Sequence, residues 1–158
     1  VDPPRQDLMR APPRNLKTGI FTRPVIGLML AGGAWSTVLN IALFIFLQST
    51  GRPISQVMTM VFVNLVLVEF LKAYAFRSES ASIITATFAN RWLNRAIIWE
   101  LILLALVVYL PFLQVPFNTF ALSLSDIGIV TLAALTIIPV LEIAKRVLRK
   151  SLNHAYAR

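Results

Sequence analysis

Residues 24–47 read PVIGLMLAGGAWSTVLNIALFIFL, a stretch without one ionisable side chain. An α-helix rises about 1.5 Å per residue, so about twenty apolar residues cross the hydrocarbon core of a bilayer. Three further stretches meet that length, at roughly 56–76, 94–113 and 126–145. A buried helix of a large soluble protein accounts for any one of them. It does not account for four with short links and no remaining chain to cover them. The sequence therefore predicts an all-α, polytopic membrane protein with four transmembrane helices.

Composition agrees. The 158-residue chain is 57% hydrophobic and 14% charged, with a mean hydropathy of +0.73. Soluble domains carry about a quarter charged residues. Such a composition excludes disorder, and the absence of Cys excludes a disulfide scaffold, a Cys-based zinc site and an iron–sulfur centre. The net charge of +8 is explained by where the cations lie. Arg5, Arg10, Arg14, Lys17 and Arg23 precede the first span, and Lys72, Arg77, Arg91 and Arg95 flank the link between the second and third. Lys145, Arg146, Arg149, Lys150 and Arg158 follow or close the fourth. An even number of spans puts all of these on one side and leaves Arg52 alone opposite. By the positive-inside rule both termini are expected in the cytoplasm of a multi-pass cell-membrane protein. No nucleic-acid partner is needed to explain the basicity; the lipid bilayer is the expected surrounding.

The organisation that follows is a basic, Pro-rich cytoplasmic segment over 1–23, a four-helix membrane domain over 24–146 and a basic tail over 147–158. Pro24 suits a first helical turn, and Gly51-Arg52-Pro53 a tight turn between antiparallel helices. Pro111 and Pro116 bracket the exit of the third span. Ser125-Asp126 is expected to cap the fourth, and Pro139 to kink it. Trp92, Trp99 and Tyr109 fit interfacial belts. Asn40 and Asn64 are expected to hydrogen-bond between helices, and the run Ala31-Gly32-Gly33-Ala34, with Gly27, to admit a close helix neighbour.

Ionisable residues inside a membrane are functional candidates by default. Glu69 lies past the midplane of the second span and is a candidate ion ligand; Lys72, at i+3, offers the alternative of a neutralising pair. Glu100 and Glu142 lie nearer the basic ends, beside Arg95 and Lys145, and read as interface charge pairs. No GxxxxGK[ST], GxGxxG or HExxH pattern occurs, and no GxSxG either. Lys17-Thr18-Gly19 follows Asn15-Leu16, with no Asp where an aspartyl nucleophile would stand. The chain is expected to be non-catalytic on its own. It opens Val1-Asp2-Pro3-Pro4 without a signal-peptide pattern, and is expected to be the tail of a longer protein.

The opening Asp2-Pro3-Pro4-Arg5-Gln6-Asp7-Leu8-Met9-Arg10-Ala11-Pro12-Pro13-Arg14 resembles the loop after the sixth membrane helix of calcium-transporting P-type ATPases. The likeness continues in order through Gly32-Gly33, Val68-Glu69-Phe70-Leu71-Lys72-Ala73-Tyr74, Arg77-Ser78-Glu79, Asn90-Arg91-Trp92-Leu93, Tyr109-Leu110-Pro111 and Pro139. The resemblance implies the seventh to tenth membrane helices of such a pump, which support the moving helices. It places on Glu69 the acidic residue of the eighth helix that ligates calcium in two-ion members. Calcium would then be the transported ion, while ATP and magnesium belong to domains outside this segment. The partners implied are the N-terminal helices and cytoplasmic domains of the same pump. Two-ion members carry an Asn one turn after that acid, whereas Lys72 stands here, which leaves room for one ion per cycle or a different ion. The alternative is a non-enzymatic four-helix membrane scaffold or regulatory subunit; a small independent transporter using Glu69 and Lys72 comes third.

Overall fold

The computed structural model describes residues 23–76 and 90–156, with side chains over 25–76 and 90–148. The opening motif over 2–14 and Arg77-Ser78-Glu79 lie outside the described residues, as does the side chain of His154. Described residues form helices and no strand: α1 (Arg23–Ser49), α2 (Ile54–Phe76), α3 (Arg91–Tyr109), α4 (Pro111–Phe117), α5 (Leu124–Leu135) and α6 (Ile137–Tyr156). Four stretches are long and apolar enough to cross a membrane: Val25–Ser49, Ile54–Phe76, Arg91–Tyr109, and Leu124–Leu148 across α5 and α6.

Local chemistry sets the ends. The α1–α2 turn closes through Thr50 N–H to Leu47 O and Gly51 N–H to Gln48 O, both 3.2 Å. Gly51 has φ +74°, a left-handed conformation that a Cβ would strain. The carbonyl of Pro53 then accepts from Gln56 and Val57, starting α2. At α3, the Asn90 side chain accepts from the Trp92 and Leu93 amides, so this helix begins at Arg91, before the expected position 94. It also ends earlier than 113. Pro111 disfavours helical backbone at the residue before it, and Leu110 is extended; Pro111 instead opens the short α4.

The cap of the fourth span is Ser123, not the expected Ser125-Asp126 pair. Ser123 Oγ accepts from the Asp126 amide, while the Asp126 carboxylate accepts from the Ser123 amide. This capping box satisfies two end donors at once, which Ser125 cannot do from one residue away. Near Pro139, where a kink is expected, the helix is interrupted between Leu135 and Ile137. The proline's missing N–H removes the bond to the Leu135 carbonyl, and the chain breaks at Thr136 between α5 and α6. Thr136 tightens the break by bonding Ala133 O through both its amide (3.2 Å) and its hydroxyl (2.7 Å). Its oxygen also accepts from Trp35 Nε1 of α1 at 3.1 Å.

Packing centres on α2, which touches α1, α5 and α6. One core gathers Leu43, Leu47, Val57, Met60, Val63, Val108, Leu122 and Val130; the other joins Leu28, Val68, Ala75, Ala134, Ile137 and Leu141. Asn64 Nδ2 donates to Asn40 Oδ1 at 3.1 Å, the expected bond between α1 and α2. The third span sits to one side, meeting α2 where Tyr74 donates to Asn94 Oδ1 at 2.9 Å. Gly27 and Gly32 admit α6 closely, since a methyl at Gly27 would stand 2.8 Å from Leu148; Gly33 faces open space. The outward side chains include Leu30, Ile45, Ile98, Leu103 and Leu132, an apolar exterior suited to lipid or further helices.

Candidate functional site

Among the described residues, two ion pairs of carboxylate and cation stand at opposite ends of the bundle. At the end carrying the α1–α2 turn, Arg52 ion-pairs with Asp126 at the start of α5. The other oxygen of Asp126 accepts from Gln56 Nε2 at 2.9 Å and from the Ser123 amide at 3.1 Å. Arg52 also points a guanidinium nitrogen at Met60 Sδ, 3.7 Å away. The Asp126 side chain is 2% exposed and that of Arg52 26%. Every oxygen of this carboxylate is engaged by the protein, which makes it a fastener between two loops. Neither residue looked paired in the sequence. They stand 74 positions apart, and the only available signal was that the lone cation of that end and an acid at the start of the fourth span share it.

Nearby bonds reinforce this end. Tyr109 donates to Leu122 O at 2.9 Å, Phe120 N–H to Thr59 Oγ1 at 2.9 Å, and Thr119 to Val107 O at 2.6 Å. Tyr109 is thus hydrogen-bonded to the α4–α5 link as well as lying at the end of a span.

Toward the opposite end of α2, Glu69 ion-pairs with Lys72. Spacing of i and i+3 brings both onto one face. The Glu69 side chain is 53% exposed and that of Lys72 only 11%. The carboxylate therefore faces outward, while the lysine stem runs inward beside Gly32 of α1. A half-exposed acid is reachable from outside the four helices. Among the described residues no group of three or more His, Cys, Asp or Glu converges. An ion held at Glu69 would thus need oxygens from elsewhere, since calcium takes six to eight.

Arg95 does not pair with Glu100, as the sequence suggested. Five residues put the two about 140° apart around the helix, and Arg95 lies instead over the Trp92 ring, 5.3 Å from its centre. Lys145, near Glu142 on α6, is buried.

Residues 1–147 match the family model for the C-terminus of cation-transporting ATPases. The chain is similar to a calcium-transporting ATPase of Bacillus subtilis, 29% identical over 127 residues, covering 80% of this chain and 14% of that protein. It is 29% identical over 152 residues to calcium-transporting ATPase 1 of Saccharomyces cerevisiae, covering 95% and 16%. Human calcium-transporting ATPase type 2C member 1 matches at 29% over 154 residues, covering 94% and 16%. The chain thus spans about one-sixth or less of the length of these relatives. A match this long, collinear with four membrane-length helices, shows that the chain belongs to the cation-transporting ATPase family and is its C-terminal membrane region.

Proposed function

We propose that this segment supports the moving helices of an ATP-driven pump whose transported ion is calcium, and that Glu69 supplies one oxygen ligand to that ion. The observation that carries the reading is the similarity to calcium-transporting ATPases over most of the chain. The outward carboxylate of Glu69 suits it, since a single acid facing away from the four helices can complete a site built on others. The remaining ligands, the ATP and magnesium sites and the phosphorylated aspartate belong to the N-terminal part of the same pump. This segment performs no hydrolysis itself.

Lys72 has a role in this reading. Its ammonium neutralises Glu69 when no metal is bound, and a calcium ion must displace it. Both termini lie in the cytoplasm of a cell-membrane protein. That side carries Lys72, Arg91, Arg95, Lys145 and Arg146, while the one cation of the other end, Arg52, is occupied by Asp126.

The test is calcium-dependent ATPase activity of the full-length protein. Glu69→Gln is expected to raise the calcium needed for half activation; an unchanged calcium response returns Glu69 to a structural pair. Cysteines placed at Ser49 or Asn118 are expected to resist labelling from the cytoplasm, and labelling there would overturn the orientation. The coding sequence upstream of Val1 is expected to contain an in-frame D-K-T-G-T.

A further inference from the structure

Nothing in α2 itself fixes the direction of Lys72. The residue lies one turn before the helix end, where a long flexible stem ordinarily snorkels outward into the headgroup region. Here the stem turns inward and the whole residue is only 9% exposed. The reason is a slot between three helices. A methyl group on Gly32 of α1 would stand 3.4 Å from Lys72 Cδ, 3.3 Å from Leu141 Cδ2 of α6 and 3.2 Å from Phe76 Cζ. Leu141 is fully buried, and it and Phe76 are the tighter contacts; a methyl at position 32 would just reach ordinary contact with the lysine stem, so a larger side chain there would crowd it. Its neighbour Gly33 meets nothing within 4 Å, so the pair of glycines is not equivalent.

We propose that Gly32 is a positioning residue for the Glu69–Lys72 pair: by leaving room for the lysine stem it holds the ammonium beside Glu69, and so sets how readily a cation displaces it. This rests on the reading of Glu69 as an ion ligand. A side chain at position 32 narrows the slot, pushes the flexible stem outward and weakens the hold of Lys72. Calcium then meets a weaker competitor. Gly27 supplies the contrast, because it faces the same helix α6 but approaches Leu148 and not the lysine.

The experiment uses the full-length protein, with free calcium as the probe and half-activating concentration, maximal activity and folded yield measured together. Gly32→Ala and Gly32→Val are expected to lower the half-activating calcium in graded steps, reaching about two- to fivefold, the range of a partly exposed ion pair. Lys72→Met is expected to shift it the same way, and adding Gly32→Val to Lys72→Met is expected to produce no further shift. Gly27→Ala is expected to lower folded yield and leave the half-activating calcium alone. A Gly32 effect that persists in the Lys72→Met background, or that Gly27→Ala reproduces, overturns the proposal. If the Gly32 variants do not fold, Lys72→Met decides: without a shift there is no lysine competition to set, and the proposal falls. Failure of the underlying reading is distinct, because it appears as an unchanged calcium response in Glu69→Gln.

Discussion

The two ion pairs use the same chemistry to opposite ends. Arg52 comes from the α1–α2 turn and Asp126 from the first turn of α5, so their pair ties the turn to the helix start. Glu69 and Lys72 come from one helix, three residues apart, so their pairing holds nothing together that α2 does not already hold. Burial sharpens the difference: Asp126 is enclosed and accepts three hydrogen bonds, whereas Glu69 is half exposed and bonded to one partner. A buried pair is strongly destabilised by removing one partner, because the survivor stays desolvated. In the second pair the carboxylate is half exposed, so solvent screens it from its buried lysine and the pair holds less of the fold together. One pair fastens the bundle; the other is the one that the proposed function assigns to an ion.

That contrast can be broken by truncating each pair. Asp126→Ala is expected to have the largest effect, lowering stability by about 2–4 kcal/mol, because it strands Arg52 and Gln56 and removes half of the capping box. Thermal unfolding in detergent checks this, and a loss no larger than that of Glu69→Gln would erase the distinction. Asn64→Leu, which deletes the one side-chain bond between Asn40 and Asn64, is expected to cost about 1 kcal/mol in the same assay. Thr136→Val, which removes the acceptor for Trp35 at the break in the fourth span, is expected to cost about 0.5–1 kcal/mol. Glu69→Gln is expected to be the mildest for the fold, within about 0.5 kcal/mol.

How much of this was legible in sequence depended on the range of the interaction. The four spans follow from apolar length alone, and the break at Pro139 from a missing N–H four residues after Leu135. The bond between Asn40 and Asn64 was readable because a polar side chain inside a membrane helix must find a partner. Helix ends were less so: Asn90 and Ser123 decided them by cap geometry, and Leu110 by the residue that follows it. The Arg52–Asp126 fastener was hinted at only by the shared end of the bundle, since nothing local connects a turn residue with the first turn of a helix 74 positions later. Nor could the two glycines of the first span be told apart. Only the packing shows that Gly32 faces Lys72 and that Gly33 faces outward.

At the site, the spacing of Glu69 and Lys72 offered their pairing as an alternative, but not that the acid would face outward and the lysine inward. That asymmetry depends on the packing around α2, with Gly32 of α1 beside the lysine stem. The expected contact of Glu100 with Arg95 failed for the complementary reason: proximity along a helix is not proximity around it, and Arg95 found the Trp92 ring instead.

The most direct test changes a carboxylate to its amide in both pairs of the full-length protein and reads unfolding temperature and half-activating calcium side by side. A double dissociation is expected. Asp126→Asn should lower the unfolding temperature and leave the half-activating calcium in place, while Glu69→Gln should raise the half-activating calcium and leave the unfolding temperature in place. If Glu69→Gln instead destabilises the protein as much as Asp126→Asn and leaves its calcium response unchanged, both pairs are structural and the assignment of Glu69 to an ion is contradicted.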